Sequence, residues 1–257
     1  MTAGNIVVIS EEAGGRKGNY FDGVDDYVLH DAHAVARVAA GDTVGTYTAW
    51  IYFDDVSGNY TIISAGDNSS TDEFLQFFLQ SDGRLSALLK HGGAIQWQIR
   101  ESTPSISARK WTHVALVQNG VQPALYIDGL NVAVTNSTAT DLTFWYDELT
   151  LTDKFAIGVL ESNATHINDL AGAIGRTKYF VAALTPEEIM EDFKEVAFTS
   201  RPTALETARV FDISMDTDGI TDSGSGADNG SLTGHAAEFM NTFIDGSKYV
   251  TIIKKGD

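Results

Sequence analysis

The sequence AIQWQIR at residues 94–100 alternates strictly between apolar and polar side chains. Ile95, Trp97 and Ile99 fall on one face of an extended chain, whereas the two glutamines and Arg100 fall on the opposite face. Successive side chains of a β-strand point to opposite sides, so this pattern predicts a strand with one face buried and the other turned to solvent.

Runs with the same β character recur along the chain and are joined by turn signals. Asp82-Gly83, Asn119-Gly120 and Asp128-Gly129 each supply residues that tolerate the positive φ of a tight hairpin turn. Many short strands at close spacing predict an all-β fold of antiparallel sheets, either a sandwich or a jelly roll. The predicted strands cover residues 45–53, 59–64, 73–79, 85–90, 94–100, 112–118, 124–127, 131–134, 149–151 and 173–181.

One short helix is predicted near residues 185–196. Thr185 is a good N-cap, Pro186 suits the first helical position, and Glu188 is placed to complete a capping box. Apolar residues follow at helical spacing, which predicts packing of this helix against the sandwich.

The chain divides into three predicted parts: an N-terminal arm at residues 1–18, a sandwich domain at 19–198 and a C-terminal extension at 199–257. The stretch Ser200-Arg201-Pro202 is typical of a linker, and residues 216–234 are rich in Asp, Gly, Ser and Asn, which predicts loop. Strand-like pieces at 208–213 and 249–253 predict that the extension completes an edge of the sandwich or contacts a neighbouring subunit.

The composition limits the partners. The chain has 257 residues, 17 Lys plus Arg against 35 Asp plus Glu, a formal charge of −18, no cysteine, and 43% hydrophobic residues, enough for a packed core. So negative a surface repels phosphate and anionic lipid, and we expect neither nucleic acid nor membrane as a direct partner. The absence of cysteine excludes disulfides and thiolate metal sites.

Five pieces of sequence, in order, resemble the laminin G-like, concanavalin A-like lectin and glucanase superfamily. They are YFDGVDDYV at 20–28, YTAWI at 47–51, WTHVALV at 111–117, LYIDG at 125–129, and residues 172–189, which end in AALTPEEI. The resemblance implies a two-sheet jelly roll over residues 19–198. It does not by itself imply an activity, because this fold supports many functions.

The chain departs from the family pattern in two places. Gly175-Arg176 stands where many relatives have an acidic pair, which argues against the family's calcium site. A segment at 211–234 resembles one that often precedes the opening strand in relatives, yet here it follows the domain.

Calcium is the ion that the sequence favours. Asp22, Asp25 and Asp26 cluster in the opening motif, and Asn168 and Asp169 precede the closing strand, which this fold would bring near. Hard oxygen ligands at that density suit Ca²⁺. The alternative is that these residues form turns and carry solvated charge.

Trp145 and Tyr146 are the predicted carbohydrate-binding residues. Adjacent residues of a strand point to opposite faces, so one of these two rings should be exposed to a glycan. Trp50, Trp97 and Trp111 lie in alternating strands and are expected in the core. The enzymes of the resembled family use an E-x-D-x-(x)-E strand that presents paired carboxylates on one face, and the chain has no such spacing, so we predict a protein without enzymatic activity.

Three functional classes follow. The first is a structural virion component, a phage capsid decoration or fibre protein, assembled in the host cytoplasm as a homo-oligomer with other capsid subunits. Its strand-like arms at residues 5–9 and 248–254 would pair with neighbours. The alternative is a calcium-assisted carbohydrate-binding module that acts at an extracellular surface. A polysaccharide-active enzyme is the third class.

Overall fold

The computed structural model describes residues 17–214, 221–225, 231–233, 238–243 and 249–253. Within them, two large antiparallel sheets pack face to face and three short helices lie outside the sheets. The all-β prediction of an antiparallel two-sheet jelly-roll sandwich is therefore confirmed. The predicted arm at residues 5–9 lies outside the described residues, as does most of the predicted loop at 216–234.

Sheet A contains the opening and closing strands of the domain side by side. Its order is β10 (Leu130–Asn131), β9 (Pro123–Ile127), β8 (Thr112–Gln118), β3 (Gly45–Phe53), β15 (Ala171–Phe180), β1 (Lys17–Asp22), β19 (Glu238–Phe243) and β20 (Tyr249–Ile253), while β16 (Arg209–Ser214) joins β15 to β17 (Thr221–Asp222).

Sheet B forms the other layer. Its order is β11 (Val134–Ala139), β7 (Ala94–Glu101), β6 (Leu85–His91), β5 (Phe74–Leu79), β4 (Tyr60–Gly66), β12 (Lys154–Ile157), β2 (Tyr27–Leu29) and β18 (Ser231–Thr233), and a separate hairpin pairs β13 (Leu160–Ser162) with β14 (Thr165–Ile167).

The core lies between the two sheets and is rich in aromatic rings. In β7, Trp97 and Ile99 are buried as the alternation predicts, whereas Ile95 is half-buried because the register shifts beside it. Trp97 stacks on Trp145 with ring centroids 6.4 Å apart, and Tyr47 lies 4.4 Å from Tyr179 across neighbouring strands of sheet A. Burial of such large rings supplies most of the packing free energy of a sandwich of this size.

The predicted helix is present as α2 (Pro186–Phe193). Thr185 accepts a hydrogen bond from the Glu188 amide, and the Glu188 side chain bonds back to the Thr185 amide, so the capping box is confirmed. The helix ends before the predicted residue 196 because Lys194 is its C-cap and Glu195 adopts a positive φ of 54°.

Two further helices were not predicted. Helix α1 (Asp31–Ala40) begins next to His30 and ends at Gly41, which is in the left-handed conformation. No side chain caps the start of α1, so the usual start signal is missing from the sequence. The predicted linker at 200–202 leads directly into α3 (Pro202–Ala208).

The C-terminal region contributes strands to both sheets. Strand β1 pairs with the first half of β15, and β16 pairs with its second half. Strands β1 and β16 therefore lie one after the other along the same edge of β15 in sheet A. Arg176, which stands where relatives have an acidic residue, donates from Nε to the buried Asp212 on β16 at 2.6 Å. Within the described residues, no helix has the length and apolar character to cross a membrane.

Candidate functional site

The outer face of sheet A is covered by helices. Val117 on β8 and Phe180 on β15 point away from the core and form one buried cluster with Ile189 of α2 and Leu205 of α3. A second buried cluster on this face joins Trp50 to Trp111. A ligand that binds to the face of a sheet therefore has access to the outer face of sheet B rather than to that of sheet A.

The outer face of sheet B has polar side chains around a few apolar ones. We define the β5–β7 face as the outward side chains of the three adjacent strands β5, β6 and β7. Strand register places Gln98 opposite Leu88 and Leu88 opposite Gln76, and it places Arg100 opposite Ser86 and Ser86 opposite Phe78. The members of the face are Phe74, Gln76, Phe78, Ser86, Leu88, Lys90, Gln98 and Arg100.

This face has a buried floor and a half-exposed rim. Gln76 and Phe78 point away from the core yet expose only 3% and 5% of their surface. The Gln76 side-chain amide donates to the Thr61 hydroxyl at 2.7 Å, which fixes its orientation. Arg100 and Gln98 are half-buried and form the rim on the β7 side. The charged outward side chains of these three described strands are Lys90 and Arg100, and both are cations.

The β13–β14 hairpin lies on the outer side of β4 and borders this face. The chain leaves the sheet after β12, where the Gly158 amide bonds to the Ile62 carbonyl, and returns where the Thr61 amide bonds to the Asn168 carbonyl. Between these points the Ser64 hydroxyl donates to the Val159 carbonyl at 2.8 Å. The hairpin is thus attached to β4 at both ends.

The hairpin is also joined to the loop after β4. The Asn163 amide donates to the Asp67 carbonyl at 2.8 Å, and the Ser162 hydroxyl donates to the Ser70 carbonyl at 3.1 Å. These bonds hold Asp67 beside the hairpin that carries Glu161.

Asp67 and Glu161 each bury a carboxylate oxygen that has no hydrogen-bond partner among the described residues. Asp67 is 3% exposed and Glu161 is 5% exposed. An unsatisfied buried carboxylate oxygen is costly unless a proton or a cation balances it. Burial raises the pKa of Glu161, and the charge of Lys154 opposes that shift. We call these two carboxylates the hairpin pair; sequence reasoning missed both.

The predicted calcium residues are largely brought together. Asp22, Asp25 and Asp26, which we call the turn cluster, offer carboxylate oxygens within 4.8 Å of one another. Backbone amides orient two of them: the Asp22 amide donates to Asp26 and the Val24 amide donates to Asp22, both at 2.9 Å.

Asp169 lies within electrostatic reach of the turn cluster. Burial raises its pKa, and the negative charges of Asp25 and Asp22 act in the same direction while His166 opposes it. Asn168 is in the left-handed conformation at φ 60°, and its backbone carbonyl accepts a hydrogen bond from the Thr61 amide of β4. The rings of Tyr27 and His166 lie 4.3 Å apart, so the turn cluster and the hairpin share one surface.

The predicted carbohydrate-binding rings are in the core. Trp145 and Tyr146 expose 0% and 1% of their surface, so the prediction that one of them faces a glycan is wrong. Residues 141–150 form turns instead of a strand, and strict alternation does not apply there. Trp145 donates to the Tyr179 hydroxyl at 3.1 Å, and the Tyr146 and Tyr47 hydroxyls lie 2.5 Å apart.

The fold and this surface define a lectin-like jelly roll. A family model described as the concanavalin A-like lectin/glucanases superfamily matches residues 22–190, and the chain belongs to that family. No curated protein matches the chain.

Solved structures with similar folds share little sequence with the chain. The CBM40 domain of the Ruminococcus gnavus IT-sialidase, bound to α2,3-sialyllactose, has a TM-score of 0.55 at 14% identity, covering 73% of this chain and 98% of that one. A candidate carbohydrate binding protein from Bacteroides ovatus has a TM-score of 0.56 at 16% identity, covering 94% of this chain and 70% of that one.

Some similar chains are sialidases. The leech intramolecular trans-sialidase has a TM-score of 0.57 at 17% identity, and the match covers 94% of this chain but only 39% of that enzyme. At such identities these similarities show the fold alone.

Proposed function

We propose that this protein is a carbohydrate-binding module that holds a glycan on the β5–β7 face without enzymatic activity. The observation that carries the proposal is the composition of that face, since sheet A is covered by α2 and α3. The half-buried Gln98 amide, Lys90 ammonium and Arg100 guanidinium form the rim of the β5–β7 face, whereas the Gln76 amide and the Ser86 hydroxyl of the floor are buried and already bonded within the protein. A saccharide carries several hydroxyls at its edge, and polar side chains at a rim can form hydrogen bonds with them.

The comparisons favour binding over the other functions considered. The family includes lectins by description, and two of the similar structures are a CBM40 domain and a candidate carbohydrate binding protein. None of these similar proteins is described as part of a virion, so we do not propose a virion function. The location of the protein, in a virion or at an extracellular surface, stays a prediction, as does its assembly into a homo-oligomer. The charged outward side chains of β5–β7 are cations, whereas glycoside hydrolysis commonly uses a carboxylate pair.

We also propose that Ca²⁺ assists this function at the border of the face. The turn cluster with Asp169 offers hard oxygen ligands, which suit Ca²⁺. One oxygen of each carboxylate in the hairpin pair lacks a hydrogen-bond partner among the described residues, while the other oxygen of Glu161 lies 3.6 Å from His166. When bound, the cation would balance the negative charge of the turn cluster, which lies beside the hairpin.

A glycan array of the labelled protein, read with Ca²⁺ and again with a chelator, tests the proposal. We expect specific binding that Gln98→Ala abolishes and Gln122→Ala preserves; Gln122 is an exposed residue in the turn between β8 and β9 of sheet A. Binding that survives Gln98→Ala, or release of reducing sugar from a bound polysaccharide, would contradict the proposal.

A further inference from the structure

Resting on the proposed function, we infer that the glycan of the β5–β7 face is an acidic saccharide whose carboxylate pairs with Arg100. The chemical class is a sugar acid, such as a hexuronate or a sialate. This inference depends on one side chain and its surroundings.

Arg100 differs from the other described arginines. Five of them form ion pairs with carboxylates: Arg37 with Asp42, Arg84 with Asp82, Arg176 with Asp212, Arg201 with Glu188 and Arg209 with Glu206. Arg109 is exposed, so water can solvate it fully. Arg100 is half-buried, and no carboxylate or carbonyl in the described part of the chain accepts a hydrogen bond from it.

The side chains next to Arg100 on the two neighbouring strands are uncharged. Strand register places Ser86 on one side of it and Thr135 on the other. The adjacent Glu101 points to the core side and is engaged: its two oxygens accept hydrogen bonds from the Leu85 amide and the Ser105 hydroxyl. In a chain of charge −18, a strand face whose charged residues are a lysine and an arginine is a local exception.

The other cation of the face, Lys90, already has partners within the protein. Lys90 donates to the Thr71 carbonyl at 2.8 Å and lies 5.8 Å from the centre of the Phe74 ring. Arg100 is therefore the free donor group. A guanidinium matches a carboxylate with two parallel hydrogen bonds, so it selects this group by geometry as well as by charge.

The remaining groups suit a saccharide that carries the carboxylate. Gln98, two residues before Arg100 on the same face, is half-buried and offers an amide for sugar hydroxyls above the buried floor of Leu88 and Phe78. The overall negative charge repels anions at long range, so an anion that binds this protein must be held by such local contacts.

Isothermal titration with four saccharides tests the inference. The probes are 3′-sialyllactose and trigalacturonate, which carry carboxylates, 3′-sulfolactose, which carries a sulfate, and neutral lactose. We expect the wild-type protein to bind at least one carboxylated probe. We also expect it to bind 3′-sialyllactose more tightly than 3′-sulfolactose or lactose. Arg100→Gln should weaken carboxylate binding by about 10- to 100-fold, the usual worth of a charge-assisted hydrogen bond.

Three variants separate the ion pair from other effects. Lys194→Gln removes the same charge from an exposed residue at the end of α2, beside the opposite sheet, and should leave binding unchanged. Gln98→Glu places a carboxylate beside Arg100 and should weaken binding, and Arg100→Lys should retain part of it. Thermal unfolding of Arg100→Gln should match the wild type, since no described contact is lost.

The inference is overturned if neither carboxylated probe binds, if Arg100→Gln binds them as the wild type does, or if sulfolactose binds as tightly as sialyllactose. Binding of a neutral glycan that Gln98→Ala abolishes and Arg100→Gln leaves intact would contradict the inference while supporting the proposed function. If no glycan binds to this face at all, the result would contradict both the inference and the proposed function.

Discussion

The backbone carbonyl of Glu161 lies so close to the α-carbon of Gly66 that a β-carbon at residue 66 would overlap its oxygen. Gly66 is the last residue of β4, and Glu161 lies in the middle of β13. The absence of a side chain at residue 66 is what lets the β13–β14 hairpin lie against sheet B.

Gly66→Ala should displace the hairpin. The overlap is with backbone, which cannot rotate away, so we expect a loss of about 1–3 kcal/mol in the free energy of unfolding, measured by urea denaturation. Hydrogen exchange at the Glu161 amide, which donates to the Ser64 hydroxyl, should accelerate. Unchanged exchange in Gly66→Ala would show that the hairpin tolerates the contact.

Ala164→Gly should stabilise the protein. Ala164 lies in the hairpin turn with a φ of 51°, a left-handed conformation that costs an alanine about 1–2 kcal/mol. Glycine removes this strain but adds freedom to the unfolded chain, so we expect a net gain of up to about 1 kcal/mol by chemical denaturation. Ala139→Gly, in the exposed edge strand β11, should have the opposite sign. A loss of stability in Ala164→Gly would contradict the strain argument.

Calcium should raise the thermal midpoint of the protein if the turn cluster binds it, because a ligand of the folded state stabilises that state. Asp25→Asn should remove this rise, and Asp147→Asn, at an exposed residue outside the cluster, should preserve it. Differential scanning calorimetry with Ca²⁺ and with a chelator measures both. An equal rise in both variants would exclude the turn cluster as the site.

Acid should destabilise the fold through His33. Its ring nitrogen Nε2 lies 2.8 Å from the Tyr47 hydroxyl, and burial lowers its pKa well below 6.5, with the charges of His30 and Arg37 acting in the same direction. The native state keeps the ring neutral while the unfolded chain takes up a proton below pH 6.5, so stability is full above that pH and falls below it. His33→Gln should reduce the slope of unfolding free energy against pH between 6.5 and 5. An unchanged slope would assign the effect to other groups.

Glu188 should stabilise the fold across a lower pH range. The Arg201 guanidinium beside it lowers its pKa from 4.5 to about 2, and the Ser200 hydroxyl and the Thr185 amide add to that effect against burial. The stabilisation is present above pH 4.5 and is lost as the pH falls toward 2. Glu188→Gln should therefore be less stable at pH 7 and lose less stability on acidification to pH 3. Circular dichroism during urea unfolding at the two pH values measures this difference.

Local features of the sequence predicted much of the fold. The alternation at residues 94–100 identified Trp97 and Ile99 as core side chains and placed Arg100 on the outward side. It misplaced Ile95, which pairs with Lys90 after a register shift and is only half-buried. The capping box at Thr185 and Glu188 marked α2. These features could be predicted because they depend on the backbone geometry of neighbouring residues.

The candidate site could be predicted only in part. The turn cluster is close in sequence, so its density of carboxylates was visible. Asp67 follows β4, and Glu161 lies far away in the sequence, in β13. They lie at the same border of the sheet because the β13–β14 hairpin leaves the sheet and packs on β4. The prediction for Trp145 and Tyr146 assumed that adjacent residues of a strand point to opposite faces. It was wrong because these residues lie in a turn, where both rings can enter the core.

The sequence by itself determined which segments are strands, which of their side chains face inward, and that Arg100 is an outward cation in an acidic chain. Tertiary structure alone decided that Arg100 has Ser86 and Thr135 as neighbours and lacks a carboxylate partner among the described residues. The physical reason is that alternation follows from local backbone sterics, whereas strand register and the covering of one sheet by helices follow from burial of surface across the whole domain.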